Sequence, residues 1–244
     1  MNDAKKDRYF AEVIGTISPF SFNAEVAEVF DDMVTRSVPL YRENQHMMVQ
    51  VLSRQLKTQD RVYDLGCSTG AALIQIGTAL KALNLNLVGL DDSLPMVEKA
   101  RLKMKAFGLS DVEIEHADIT KASLETCGAV VMNYTLQFLP LKDRLPLLQK
   151  IHAALRPGGI LILAEKIEAD EASFQELLTS IYYAFKTGNG YSELEISQKR
   201  EALEDVLIPL GPKRQEALLN EAGFAQAEMI LRWSTFATFL AVKA

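Results

Sequence analysis

The run Val62-Tyr63-Asp64-Leu65-Gly66-Cys67-Ser68-Thr69-Gly70-Ala71-Ala72-Leu73, VYDLGCSTGAAL, decides the fold. Its apolar beginning ends in Asp64-Leu65-Gly66, passes through small and polar residues to Gly70, and continues into the helix-forming Ala71-Ala72-Leu73. That order spells strand, tight glycine turn, helix. Gly66 lets the backbone turn sharply with no side-chain clash, and Gly70 is expected to let the helix begin close to a ligand over the strand end. An ordinary strand-to-helix turn has the same grammar, so a nucleotide site needs a second signal farther along the chain.

Twenty-five residues after Gly66, the run Leu87-Val88-Gly89-Leu90 ends in Asp91-Asp92. At that distance a nucleotide-binding βαβ unit presents a carboxylate to ribose hydroxyls. The G-x-x-x-G spacing departs from the dinucleotide fingerprint G-x-G-x-x-G, because Ser68 stands two residues after Gly66 and a pyrophosphate would lack its closest backbone approach. The pattern D-L-G-C-x-x-G, the strand-end acids, and Ala117-Asp118-Ile119 after a third strand together resemble the S-adenosylmethionine-binding domain of class I methyltransferases. No phosphate has to be bound there.

Outward from this core, strands are expected at about 61–65, 86–90, 112–116, 129–133 and 159–165, with helices at about 70–83, 94–107 and 143–155. Arg156-Pro157-Gly158-Gly159 is expected to end the last of these helices, glycine providing a left-handed cap. Two further strands, about 226–232 and 235–243, flank Trp233-Ser234 and suggest a closing hairpin. The fold class is therefore α/β: a mainly parallel seven-stranded sheet with helices on both faces. The whole chain, 1–244, reads as a single domain with an amino-terminal helical cap at about 20–57 and a helical insert at about 170–222. In the cap, Asn23 can start a helix running to about Thr35 with Val26, Val29, Phe30, Met33 and Val34 as its apolar stripe. A second helix over about 41–56 carries Met47 and Met48 as core filling.

At 244 residues and 48% apolar composition the chain can bury a substantial core. The charged start from Met1 to Pro19 lacks the apolar centre of a signal peptide, and no stretch reaches the roughly 18 uncharged apolar residues of a membrane span, so a cytoplasmic protein is expected. Cys67 and Cys127 are far apart and His46, His116 and His152 are scattered, which indicates neither a disulfide framework nor a metal site. A net charge of −6 does not advertise a phosphate-gripping face, so direct nucleic-acid binding is not expected. The local clusters Arg101-Lys103-Lys105 and Lys213-Arg214 read as solvated.

One segment is not needed by a nucleotide-binding core: Tyr191–Leu207, YSELEISQKREALEDVL, which places Arg200 beyond it. A fixed cation there implies an anionic group to hold. This segment, together with VAEVFDDMVTRSVPLY (Val26–Tyr41), VYDLGCSTGAA and VVMNYTLQFL (Val130–Leu139), resembles the carboxy-S-adenosyl-L-methionine synthases over nearly the whole chain.

The resemblance implies an enzyme that converts S-adenosylmethionine and prephenate into the carboxylated sulfonium, phenylpyruvate and water. The product would supply the carboxymethyl group for wobble-uridine modification in tRNA. A homodimer is implied, in which the insert helps cover the neighbouring site, and so is a hand-off of product to the tRNA carboxymethyltransferase. Carried over residue by residue, Gly66, Cys67 and Ser68 run beneath the methionine part, and Asp91 and Asp92 hold the ribose region. Asp118 and Ile119 flank the adenine, Asn133 positions the amino-acid end, and Tyr41 closes over the sulfonium. Arg200 would hold the added carboxylate through paired N–H donors. No residue stands out as the base. Tyr134 qualifies by position alone, so the hydroxide leaving the prephenate ring is expected to take the methyl proton. Two other readings stay open: an ordinary methyltransferase acting on a small acidic molecule or RNA, in which Arg200 merely binds an acidic substrate, and a non-catalytic module that stores or presents the cofactor.

Overall fold

Two long apolar runs form the middle of the sheet, and both are covered on both faces. In the computed structural model, which describes residues 5–244, every residue from Cys127 to Met132 is buried, and so is every residue from Ile160 to Glu165. These lie in strands β4 (Cys127–Asn133) and β5 (Leu155–Lys166), the centre of a seven-stranded sheet with β1 (Arg61–Leu65), β2 (Asn86–Asp91), β3 (Glu113–His116), β6 (Gln226–Trp233) and β7 (Phe236–Val242). The order is β3-β2-β1-β4-β5-β7-β6; β1 to β5 run parallel, and β7 inserts antiparallel between β5 and β6. The order reverses between β1 and β4. Loops leaving those two strands diverge there and open a crevice at the carboxyl ends of the strands.

Side chains alternate across the sheet, so each face has its own core. On one side Val62, Leu87, Ala129, Val131, Ile160 and Ile162 pack under helices α2 (Tyr41–Gln55), α3 (Ala71–Ala79) and α4 (Leu94–Ala106). On the other, Leu65, Leu90, Val130, Met132, Leu161 and Leu163 meet α5 (Leu141–Ala154) and α8 (Pro212–Glu221). Helix α1 (Ala24–Ser37) starts at Asn23, whose side-chain oxygen accepts the Val26 N–H at 2.9 Å. It buries Val26, Val29 and Met33, while half-buried Phe30 and Val34 face the crevice. Between β5 and β6 the insert comprises α6 (Ala172–Gly188), α7 (Glu193–Leu203) and α8. Helix α7 begins with a capping box in which Ser192 and Glu195 satisfy each other's N–H groups.

Some expectations need revision. The predicted 70–83 helix is α3 followed by a separate 3-10 turn over Lys81–Leu83. Helix α5 ends at Ala154 because Leu155 already adopts extended backbone, so Gly158, left-handed at φ 69°, lies inside the irregular start of β5 and does not cap the helix. Arg101 and Lys103 do more than face solvent: Arg101 donates two hydrogen bonds to the Ile114 carbonyl, and Lys103 pairs with Asp31 at 2.7 Å. Lys105, Lys213 and Arg214 are exposed as expected. Met1–Ala4 lie outside the described residues, and with them part of the stretch read as lacking a leader; among the described residues no helix is long and apolar enough to cross a membrane.

Candidate active site

Gly66 and Gly70 both have left-handed backbone, with φ of 76° and 77°, so the loop between β1 and α3 turns as the sequence predicts. A Cβ on Gly66 would overlap the Thr135 side chain, which arrives from the loop after β4. Gly70 has a different reason: a Cβ there would run into Met104 of α4. Its absent side chain lets two helices pack, and Gly70 does not line the cavity beside it. Asp31 ties the cap to this loop, accepting from the Thr69 hydroxyl at 2.6 Å, and Ser93 Oγ donates to the Phe22 carbonyl at 2.6 Å.

The crevice is closed over by the cap into a cavity of about 380 Å³. Ten of the residues singled out from sequence lie on its wall: Tyr41, Gly66, Cys67 and Ser68; Asp91 and Asp92; Asp118 and Ile119; Asn133 and Tyr134. Its roof is aromatic, with Phe22 edge-on to Phe138 and to Phe20, both at 5.2 Å between centroids. Tyr41 and Tyr134 face each other at 6.5 Å, and Tyr134 stands edge-on to Phe236 at 6.0 Å.

The polar groups are held before any ligand arrives. Asp91 accepts the Ser68 N–H at 2.8 Å and the Ser93 N–H at 2.9 Å, while burial pushes its carboxyl above the ordinary range. Asp118 is fixed by Lys121 at 2.8 Å and by Thr120, which hold its carboxyl down at about 2. Asn133 Oδ1 accepts from Asn44, a fully buried amide whose own oxygen accepts from Thr238 at 2.7 Å, so the Asn133 Nδ2 group is left as a donor. Tyr134 has a left-handed φ of 65°, stabilised by its N–H donating to the Ala164 carbonyl at 2.7 Å. Burial keeps the Tyr41 and Tyr134 phenols protonated far above neutrality. Cys67 is buried, and burial pushes its thiol well up, so it packs and does not react.

In the sequence Asp64 carries no role distinct from that of the other strand-end acids. It is 1% exposed, lines the cavity, and its Oδ1 has no hydrogen-bond partner. Burial, with a smaller contribution from the Asp91 charge, raises its carboxyl to about 7. A buried carboxylate oxygen without a donor calls for a cation or an N–H from a ligand. S-adenosylmethionine carries both an ammonium and a sulfonium, so the wall fits it: an orphaned acid for the ammonium, strand-end acids for the ribose, and aromatic faces for the sulfonium.

Arg200 is placed elsewhere. It is exposed and lines a second cavity, of about 420 Å³, that adjoins the first. The two cavities share Lys166, Tyr182, Lys199, Leu203 and Leu207. Burial pulls Lys199 down to about 8 and, with repulsion from Lys199 and Lys166, Lys186 down to about 7. Sequence reasoning misses these lysines, although one signal was there. Ile196, Lys199 and Leu203 recur at helical spacing, so Lys199 sits on the inward stripe of α7 while its neighbour Arg200 faces out.

The amino-terminal strap fixes that stripe. Gln198 donates to the carbonyls of Phe10 and Glu12 at 2.9 and 2.8 Å, the Phe20 N–H donates to the Ala202 carbonyl, and the Tyr191 hydroxyl donates to buried Asp7 at 2.6 Å.

Residues 62–159 match the methyltransferase domain family. Solved structures share the fold: the S-adenosylmethionine-dependent methyltransferase SibL in its apo form (TM-score 0.63, 19% identity, 88% of this chain and 57% of that one) and human N-acetylserotonin methyltransferase in complex with S-adenosylmethionine (TM-score 0.62, 16% identity, 91% and 55%). Full-length likeness is narrower in kind. A carboxy-S-adenosyl-L-methionine synthase of Desulfotalea psychrophila is 45% identical over 240 residues, covering 98% of each chain. One from Nitratiruptor sp. is 44% identical over 98% of each, and one from Photobacterium profundum is 41% identical over the full length of both. With that identity running end to end, through the cap and the insert as well as the common core, this chain belongs to the carboxy-S-adenosyl-L-methionine synthase family.

Proposed function

We propose that this chain makes carboxy-S-adenosyl-L-methionine from S-adenosylmethionine and prephenate, releasing phenylpyruvate and water, and that the product supplies the carboxymethyl group for wobble-uridine modification in tRNA. The observation that carries the reading is the cationic cavity beside the cofactor cavity, with Lys166 and Lys199 on both walls. A methyltransferase for an acidic substrate would also use such a neighbour; the end-to-end likeness to carboxy-S-adenosyl-L-methionine synthases supports moving a carboxylate onto the cofactor.

Bound in the first cavity, S-adenosylmethionine supplies a methyl group acidified by its sulfonium, the acceptor for the transferred carboxyl carbon. Asp64 would meet the ammonium, Asn133 the amino-acid carboxylate through Nδ2, Asp91 and Asp92 the ribose, and Asp118 and Ile119 the adenine. Tyr41 and Tyr134 narrow the passage and exclude water, which would otherwise compete for the carbon dioxide. Their phenols, protonated by burial, are poor bases. The proton of the methyl group therefore goes to the hydroxide leaving the prephenate ring as it aromatises, and the two leave as water. Arg200 and Lys199 would receive the carboxylate in its new position.

The protein would act in the cytoplasm as a homodimer, and Phe174, Leu177 and Ile181, exposed at 56, 55 and 41% along one stripe of α6, support a partner surface.

Mass spectrometry of ligand released from freshly purified protein tests the reading. A species heavier than S-adenosylmethionine by one carbon dioxide, formed again on adding S-adenosylmethionine and prephenate, is the expected result. Recovery of S-adenosylmethionine or its demethylated product alone, with no turnover of prephenate, would make this an ordinary methyltransferase.

A further inference from the structure

Four cations line the second cavity, Lys166, Lys186, Lys199 and Arg200, against a single carboxylate, exposed Glu204. Lys186 is 4% and Lys199 8% exposed. Among the described residues, none of the four forms an ion pair. Asp7, the buried acid that attracts Lys199 and Lys186, is already engaged by the Tyr191 hydroxyl and the Tyr9 N–H, and Glu195 is engaged by Ser192. The ammonium groups of Lys166 and Lys186 instead stand over aromatic faces, 5.3 and 5.6 Å from the Tyr182 centroid, and Lys186 also lies 5.5 Å from that of Tyr191. Burying like charges together without counterions costs stability, which the lowered lysine values register. An anion entering the cavity would relieve that cost and hold the lysines in their charged form.

We propose that this cavity is the binding site for the dicarboxylate co-substrate, with a division of labour among its cations. Resting on the function proposed above, Lys166 and Lys186 hold the carboxylate that stays with the departing product. Lys199, on the wall that the two cavities share, and its neighbour Arg200, on the second cavity's wall, hold the carboxylate that is transferred. Lys199 can thus face that group before and after it moves. Lys166 projects from the end of β5 and Lys186 from the end of α6, so the retained carboxylate is gripped by two elements that do not carry Arg200. The aromatic Tyr182 between them suits an apolar ring.

The test is calorimetric titration of prephenate into protein loaded with S-adenosylhomocysteine, which lacks the sulfonium methyl and cannot react. For Lys186→Met and Lys166→Met the expected result is prephenate affinity weakened about tenfold or more, since each removes a charged hydrogen-bond donor. In Lys186→Met, whose side chain lines the second cavity alone, S-adenosylhomocysteine affinity and affinity for the carboxylated cofactor should stay within twofold of wild type, which also reports intact folding. Wild-type prephenate affinity in both variants would overturn the site, even with the carboxylated product still being formed. Should wild type form no carboxylated product yet bind malonate or phenylsuccinate with the same loss in both variants, the proposed function fails while the dicarboxylate site stands. Binding of no dicarboxylate at all by wild type would overturn the site as well.

Discussion

Asp64 should make the ligand-free protein less stable as pH rises, and the cofactor should offset much of that trend. Its carboxyl is buried with an unpartnered oxygen and sits at about 7 in place of the ordinary 3.8. Between those values the folded state keeps the proton and the unfolded state gives it up, so the unfolded state is favoured progressively as pH rises. Below pH 4 the group is neutral in both states and contributes its full stability; above pH 7 that contribution is gone. The span from 3.8 to about 7 corresponds to about 4 kcal/mol, or on the order of 10 °C in melting temperature for a chain of this size. Asp64→Asn keeps the shape and removes the titration. The assay is thermal melting from pH 4 to pH 8, for wild type and variant, with and without saturating S-adenosylmethionine. The difference between the two proteins isolates Asp64 from Glu165, another buried acid raised by burial, to about 8. Without ligand, wild type and variant should melt together near pH 4, and the variant should melt higher at pH 8. With ligand the gap at pH 8 should narrow by about half or more, because a carboxylate facing an ammonium is worth about 1.5–3 kcal/mol that the amide cannot supply. A pH-independent difference between the ligand-free proteins, together with unchanged cofactor affinity in Asp64→Asn, would refute the reasoning.

Gly66→Ala should cost at least about 2 kcal/mol, from a left-handed backbone and overlap with Thr135, and should weaken cofactor binding; adding Thr135→Ala should recover part of the stability, as denaturant titration would show. Arg200→Ala should bring the affinities for S-adenosylmethionine and its carboxylated form together, removing about 2 kcal/mol or thirtyfold of preference by competitive calorimetry; an intact preference would leave Lys199 as the sole partner of the added carboxylate. Tyr134→Phe should retain substantial turnover if the leaving hydroxide takes the proton. A loss of about 100-fold or more with cofactor binding intact would instead make the phenol the base.

The parts legible in the sequence are those governed by local rules. Periodicity marks β4 and β5 because buried parallel strands are apolar throughout, and the Gly66 turn is legible because its left-handed backbone favours one residue type. The second cavity obeys no local rule. Lys166, Lys186 and Lys199 come from a strand and two helices, and in sequence each looks like an ordinary surface lysine. What holds α7 in place beside them is the strap from Asp7 to Phe20 folding back on it, through contacts that span more than 180 residues. Gly70 shows the opposite error, a right residue with a wrong reason: its small size serves the packing of α3 on α4, and ligand approach is left to Gly66 through Thr69.

Arg200 and Lys199 divide along the same line. A guanidinium in a distinctive motif invites a role, and its helical phase sets it at the exposed side of the second cavity, where a charge is cheap to keep. One residue earlier, Lys199 is held inside at a cost that Asp7, already engaged by Tyr191 and Tyr9, offsets only in part, beside both the cofactor cavity and the cationic one. Where the cost of burial is high and no partner within the protein offsets it, the missing partner is a ligand. Asp64 in the first cavity and Lys186 and Lys199 in the second are opposite in charge, and each is left short of the ion that its co-substrate would carry.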